Sequence, residues 1–150
     1  MIIEAHNEEE MKAFGARLAS HLRGGEVIEM VGDVGSGKTT LTKGLAQGLG
    51  VDEDVQSPSF TISRVYPARD GLTLAHYDFY RLQQAGIMAD ELHETLVNPK
   101  TITVIEWGGI VEGALPSDRL TLTFVSPSEN DRRIIVEAHG PRSRIIEKAL

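Results

Sequence analysis

Eight residues, Gly32-Asp33-Val34-Gly35-Ser36-Gly37-Lys38-Thr39, match G-x-x-x-x-G-K-[ST] and constrain this chain's fold more than any other segment. The pattern works only as a turn between a strand and a helix. Glycines let the backbone curl until successive N–H groups and a helix N-terminus converge on one point. The flanks supply both elements: Val27 to Val31 is an apolar run of strand length, and the segment from Thr40 to Leu49 carries Leu41, Leu45 and Leu49 at helical spacing. The chemistry expected of such a turn is nucleotide binding. Main-chain groups of Gly35, Ser36 and Gly37 and the first turn through Thr40 cradle phosphates, Lys38 places a charge on the β/γ-phosphates, and Thr39 offers a hydroxyl to Mg²⁺.

Upstream, Asn7 followed by Glu8, Glu9 and Glu10 reads as a helix cap with an acidic first turn, with Met11, Phe14, Leu18 and Leu22 on one face and Gly24-Gly25 as the stop. Downstream, Ile62 to Tyr66 and Leu72 to Phe79 are expected to form a hairpin around Asp70-Gly71. A short helical pattern around Glu91 to Leu96 ends at Asn98-Pro99. The β-branched run Thr101 to Ile105 is of the kind buried in a parallel sheet. Arg119 to Val125 and Arg132 to His139 alternate as a second hairpin, and Ser143 to Leu150 is a final helix. The expected fold is one α/β domain over residues 1–150, a P-loop NTPase-like three-layer sandwich whose mixed, mostly parallel central sheet carries antiparallel hairpins.

A phosphate loop needs acidic partners at the ends of neighbouring strands to hold Mg²⁺ and orient water. Asp78 ends the apolar run from Leu72 and Glu106 ends the run from Thr101. Asp78 is therefore expected in the metal shell, directly or through water, and Glu106 on Mg²⁺ or orienting water, with roles that could be exchanged. The plainer alternative for either is a strand-end carboxylate facing solvent or pairing an arginine. Thr61, after Ser57-Pro58-Ser59-Phe60, suits either a switch-type hydroxyl for the γ-phosphate or an ordinary hairpin threonine. Trp107 follows Glu106 at the carboxyl end of a strand, where an aromatic wall for the base is expected. His76 shares a strand face with Asp78, and a lone strand histidine reads as structural.

The chain has no cysteine, which excludes disulfides, thiol catalysis and thiolate metal sites. Its formal net charge of −7 argues against autonomous DNA or RNA binding, since phosphate neutralisation needs a basic patch. No apolar run has the length of a membrane span and no signal peptide is visible at Met1-Ile2-Ile3-Glu4, so the expected location is cytoplasmic.

Four segments taken together resemble the TsaE (YjeE) family. Gly32 to Thr39 is similar to its GDxGxGKT loop and Ser57-Pro58-Ser59-Phe60-Thr61 to its SPTFT segment. His76-Tyr77-Asp78-Phe79-Tyr80-Arg81-Leu82 is similar to its HxDLYRL segment, and Ile105-Glu106-Trp107 to its VEW element. The resemblance implies a weak ATPase that binds ATP/ADP and Mg²⁺ and works with TsaD and TsaB. Those partners place a threonylcarbamoyl group on the adenosine beside the anticodon, position 37, of tRNAs reading ANN codons. Hydrolysis by the TsaE-like component resets the complex, and tRNA is met only through it. The resemblance also implies Lys38 and Thr39 on phosphate and Mg²⁺, Thr61 in a switch-like segment, Asp78 and Glu106 in the acidic shell, Trp107 against adenine, and Arg132 near the nucleotide. Ser59 and Gly108-Gly109 depart from the family's usual residues.

Two rival readings remain on sequence: a small P-loop kinase, which needs an acceptor pocket and an arginine-bearing lid, and a nucleotide-sensing module that does not hydrolyse. A GTPase is disfavoured because Asn98-Pro99-Lys100-Thr101 is not an N-K-x-D element.

Overall fold

Thr101–Glu106 is buried at every position, as a strand covered on both faces must be. It is an interior strand of a seven-stranded sheet in a computed structural model that describes residues 1–56, 58, 62–82 and 86–150, without the side chain of Ile87. In chain order the strands are β1 Ile2–Ala5, β2 Val27–Val31, β3 Ser63–Pro67, β4 Thr73–Asp78, β5 Thr101–Glu106, β6 Leu120–Val125 and β7 Arg132–Ala138. The helices are α1 Glu8–Ala19, α2 Lys38–Gly48, α3 Gly86–Leu96 and α4 Pro141–Ala149, with 3₁₀ turns at Arg69–Gly71 and Gly108–Ala114. The sheet order is β1-β7-β6-β2-β5-β4-β3. The four central strands β6, β2, β5 and β4 are mutually parallel, and the two hairpins and β1 add antiparallel strands at the flanks.

Strand alternation divides the core in two. Ile28 and Met30 of β2, Leu74 of β4 and Ile102 and Val104 of β5 pack with Phe14, Leu18, Leu41 and Leu45 of α1 and α2, and Ile146 of α4 joins them. Val27, Ala75, Tyr77 and Ile105 face the other way and pack with Leu92 of α3 and Val111. These are the two helical layers of the expected sandwich.

Several local expectations hold. Asn7 caps α1, its side chain accepting from the N–H of Glu10 at 2.8 Å. Asp70 takes the left-handed conformation in the hairpin turn (φ 57°), and Met11, Phe14, Leu18 and Leu22 are all buried. Three details differ. α1 stops at Ala19 with Ser20 as its cap, so Gly24-Gly25 serves as the turn into β2 rather than as the helix stop. α3 begins earlier than the periodicity around Glu91 suggests. β1, four residues long, carries too little pattern to stand out and exists because it pairs with β7, Ile2 opposite Ile135 and Ile3 opposite Ile134.

Candidate functional site: a phosphate loop at the carboxyl ends of β2, β5 and β4

The loop after β2 turns through Gly35 (φ 81°) and Gly37 (φ 107°), conformations that side chains other than glycine's rarely adopt. Gly37 caps α2 with no side-chain bond, and no acidic residue lies in the helix's first turn. α2 therefore presents free N–H groups at the cleft, the condition for binding an anion.

The row across the sheet at this level is Met30, Glu106 and Asp78, register partners on β2, β5 and β4. All three point toward α2, which places both carboxylates beneath Lys38. Glu106 is 3% exposed and Asp78 8%. Lys38, itself buried, donates to the carbonyl of Gly32 at 2.6 Å, and its Nζ lies 3.9 Å from Oε1 of Glu106. Burial pushes the Lys38 ammonium below the ordinary lysine range, against the opposing pull of Glu106, Asp78 and Asp33. The other oxygen of Glu106, Oε2, is 2.6 Å from Nε2 of His76, and an oxygen of Asp78 accepts from the N–H of Tyr80 at 3.0 Å.

The cleft has a volume of ≈ 990 Å³ and is lined by Gly35, Gly37, Lys38, Thr39, Thr40, Asp78, Glu106, Trp107 and Arg132. Its size is at the top of the usual range for small-molecule sites, about 300–1,000 Å³. The structure thus gathers the sequence-predicted residues of the loop, the two acids, Trp107 and Arg132 around one space. The buried Ser36 lies within the loop but not on the cleft wall. Thr61 lies outside the described residues. Its successor Ile62 has φ 68°, an unusual value for a β-branched residue, and its carbonyl accepts from the N–H of Asp78 at 2.8 Å.

Trp107 is also left-handed (φ 57°). Its ring centroid is 4.3 Å from Lys38 Nζ and 5.0 Å from the ring of Tyr80. In this arrangement the indole walls the end of the cleft that holds the ammonium, and its use as a wall for a base requires it to move or the base to reach it. The Arg132 guanidinium donates to the carbonyls of Ser128, Glu129 and Asp131 and approaches that of Gly35 at 3.5 Å, so it is held over the loop by backbone oxygens. Sequence reasoning missed the wall formed by His6, Asn7, Glu8 and Met11. The cap at Asn7 marks where α1 starts, but only the packing of α1 on α2 carries that start to the cleft.

Among the described residues no group of three or more His, Asp or Glu side chains forms a metal cage. Mg²⁺ delivered with a polyphosphate typically uses one or two carboxylates and completes its shell with phosphate oxygens and water. Thr39, Glu106 and Asp78 offer that kind of donor set.

A model of the family described as "Threonylcarbamoyl adenosine biosynthesis protein TsaE" matches residues 5–134. The chain is 36% identical over 141 residues to the tRNA threonylcarbamoyladenosine biosynthesis protein TsaE of Bacillus subtilis (strain 168), covering 93% of this chain and 87% of that protein. It is 45% identical over 114 residues to the protein of the same name from Streptomyces coelicolor, covering 75% and 76%. The crystal structure of Bacillus subtilis YdiB superposes with a TM-score of 0.81 at 33% identity, covering 99% of this chain and 93% of that one. By the family match and the identity and coverage of these relatives, the chain belongs to the TsaE family.

Proposed function

We propose that this protein is a Mg²⁺-dependent ATP-binding protein with weak ATPase activity, acting with TsaD and TsaB in forming threonylcarbamoyladenosine at position 37 of tRNAs reading ANN codons. The observation that carries the reading is the convergence of Lys38, Asp78 and Glu106 on the uncapped start of α2. Family membership supports the tRNA-modification role. The net charge of −7 fits a component that meets tRNA through its partners. No helix among the described residues is long and apolar enough to cross a membrane, and a role in tRNA modification fits a cytoplasmic place of action.

In this reading the N–H groups of the loop and α2 bind the polyphosphate, and Lys38 leaves the Gly32 carbonyl to neutralise the β/γ oxygens. Thr39 and one of Glu106 and Asp78, directly or through water, would hold Mg²⁺, which would supply charge neutralisation when bound. Whichever carboxylate is not on the metal orients the attacking water. Arg132 contributes positive charge over the loop. Thr61 and α3, whose Asp90, Glu91, His93 and Glu94 are exposed, form the surface that nucleotide state presents to TsaD, and hydrolysis releases it.

The test is ATP hydrolysis by the purified protein, alone and with the TsaB–TsaD pair, with Lys38→Ala as blank. Stimulation by the pair that is absent in the blank is the expected result. ATP binding without hydrolysis under either condition would replace this reading with that of a nucleotide-sensing module.

A further inference from the structure

We propose that His76 is a positioning residue for Glu106, holding one carboxylate oxygen so that the other faces the Lys38 end of the cleft. The inference rests on the ATPase reading above and adds to it a residue that reading does not use. His76 has no exposed surface. It sits opposite Val104 in the β4–β5 register, so its ring lies one step below the Asp78–Glu106 pair on the same face and reaches Glu106 diagonally. Nε2 meets Oε2 of Glu106 at 2.6 Å while Oε1 lies 3.9 Å from Lys38 Nζ. The two oxygens of one carboxylate are thereby divided between a fixing contact below and the cleft above.

The other ring nitrogen separates this role from packing. Nδ1 is buried and has no hydrogen-bond partner among the described residues. A histidine kept for packing alone would be expected to satisfy both nitrogens or give way to an apolar side chain, because an orphaned buried polar atom is unfavourable. Here only the nitrogen facing Glu106 is used. The Mg²⁺ role proposed for Glu106 needs its carboxylate form, which can only accept, so in that role Nε2 is the donor. Asp78 is held in a comparable way through one oxygen, by the backbone N–H of Tyr80. Glu106, with a longer and freer stem, is held by a side chain. Groups behind a metal-shell carboxylate typically alter metal affinity or activity by about 10–100-fold when removed.

The test compares His76→Gln, His76→Asn and His76→Leu in the full chain. A glutamine amide nitrogen falls near the position of Nε2, whereas an asparagine amide nitrogen falls near Nδ1 and does not reach Glu106. The readouts are kcat and KM for ATP, ADP affinity without metal, and the Mg²⁺ concentration that half-saturates the metal-dependent gain in nucleotide affinity. His76→Gln is expected to stay close to wild type. His76→Asn and His76→Leu are expected to lower kcat and raise the Mg²⁺ requirement by about tenfold or more, with metal-free ADP affinity unchanged.

Equal behaviour of the Gln and Asn variants, or wild-type values in His76→Leu, would overturn the proposal. So would failure of both amide variants to fold, which would make the imidazole a folding requirement. If the wild type binds Mg-nucleotide without turning it over, the ATPase reading fails, and the Mg²⁺ half-saturation of the variants still decides the role of His76. A wild type whose nucleotide affinity ignores Mg²⁺ would defeat both.

Discussion

Replacing Gly44 with alanine sets two effects of similar size against each other. Helix propensity alone favours alanine by about 1 kcal/mol, since Gly44 lies inside α2. The tertiary structure opposes it. A Cβ on Gly44 would sit 2.1 Å from the carbonyl oxygen of Lys12 and 2.6 Å from its Cα, and a Cβ on Gly15 of the facing helix would meet the carbonyl oxygen of Leu41 at 2.4 Å. Those neighbours are backbone and cannot rotate aside. The α1–α2 contact must open by about 1 Å, loosening Phe14, Leu18, Leu41 and Leu45, all nearly or fully buried. Overpacking of this kind costs about 1–3 kcal/mol beyond ordinary contacts. Because backbone meets backbone, the upper part of that range applies, and subtracting the propensity gain leaves a net loss of about 1–2 kcal/mol. For a domain of this size that lowers Tm by about 2–8 °C. Thermal unfolding monitored by circular dichroism measures it, with Gly113→Ala as control, because a Cβ there meets nothing within 4 Å and a change within about 0.5 kcal/mol is expected. α2 begins at Lys38, so ADP affinity should fall in the same variant. A Gly44→Ala protein that melts above wild type would refute the close-approach argument.

Because burial lowers the Lys38 pKa and phosphate oxygens favour its charged form, nucleotide binding should take up a proton at alkaline pH. Affinity should therefore fall as pH rises through the lowered lysine value. Calorimetry in buffers of different ionisation enthalpy checks this, and an affinity independent of pH from about 7 to 10 would contradict it. Asp118 accepts from the N–H groups of Arg142 and Ser143 and from the Ser143 hydroxyl at the start of α4. Burial acts to raise its carboxyl pKa, but these bonds and the Arg142 charge outweigh that and hold it below the ordinary value. Asp118→Ala should cost about 0.5–2 kcal/mol near neutral pH. The folded pKa is the depressed one, so Asp118's contribution is present above the unfolded value and disappears as pH falls through the folded value. The gap between wild type and variant in urea unfolding should therefore close in strongly acidic solution.

The phosphate loop, the capped start of α1, both hairpins and the acids at strand ends were legible in the chain because each depends on residues within one element or one turn. Periodicity places Asp78 and Glu106 at the ends of apolar runs whatever else the fold does. What the chain could not state is adjacency. That Asp78 and Glu106 are register partners, that His76 lies under Glu106, and that Trp107 rests on Lys38 follow from the order of parallel strands joined by long crossovers. The Asn7 to Met11 wall and the pairing of β1 with β7 likewise join residues from opposite parts of the chain. The sequence alone determined where the glycine-rich loop with its lysine lies and which strand ends are acidic, because backbone conformation and side-chain chemistry are local. Tertiary structure alone decided how those groups face one another, because strand pairing and helix packing are settled by contacts between distant segments.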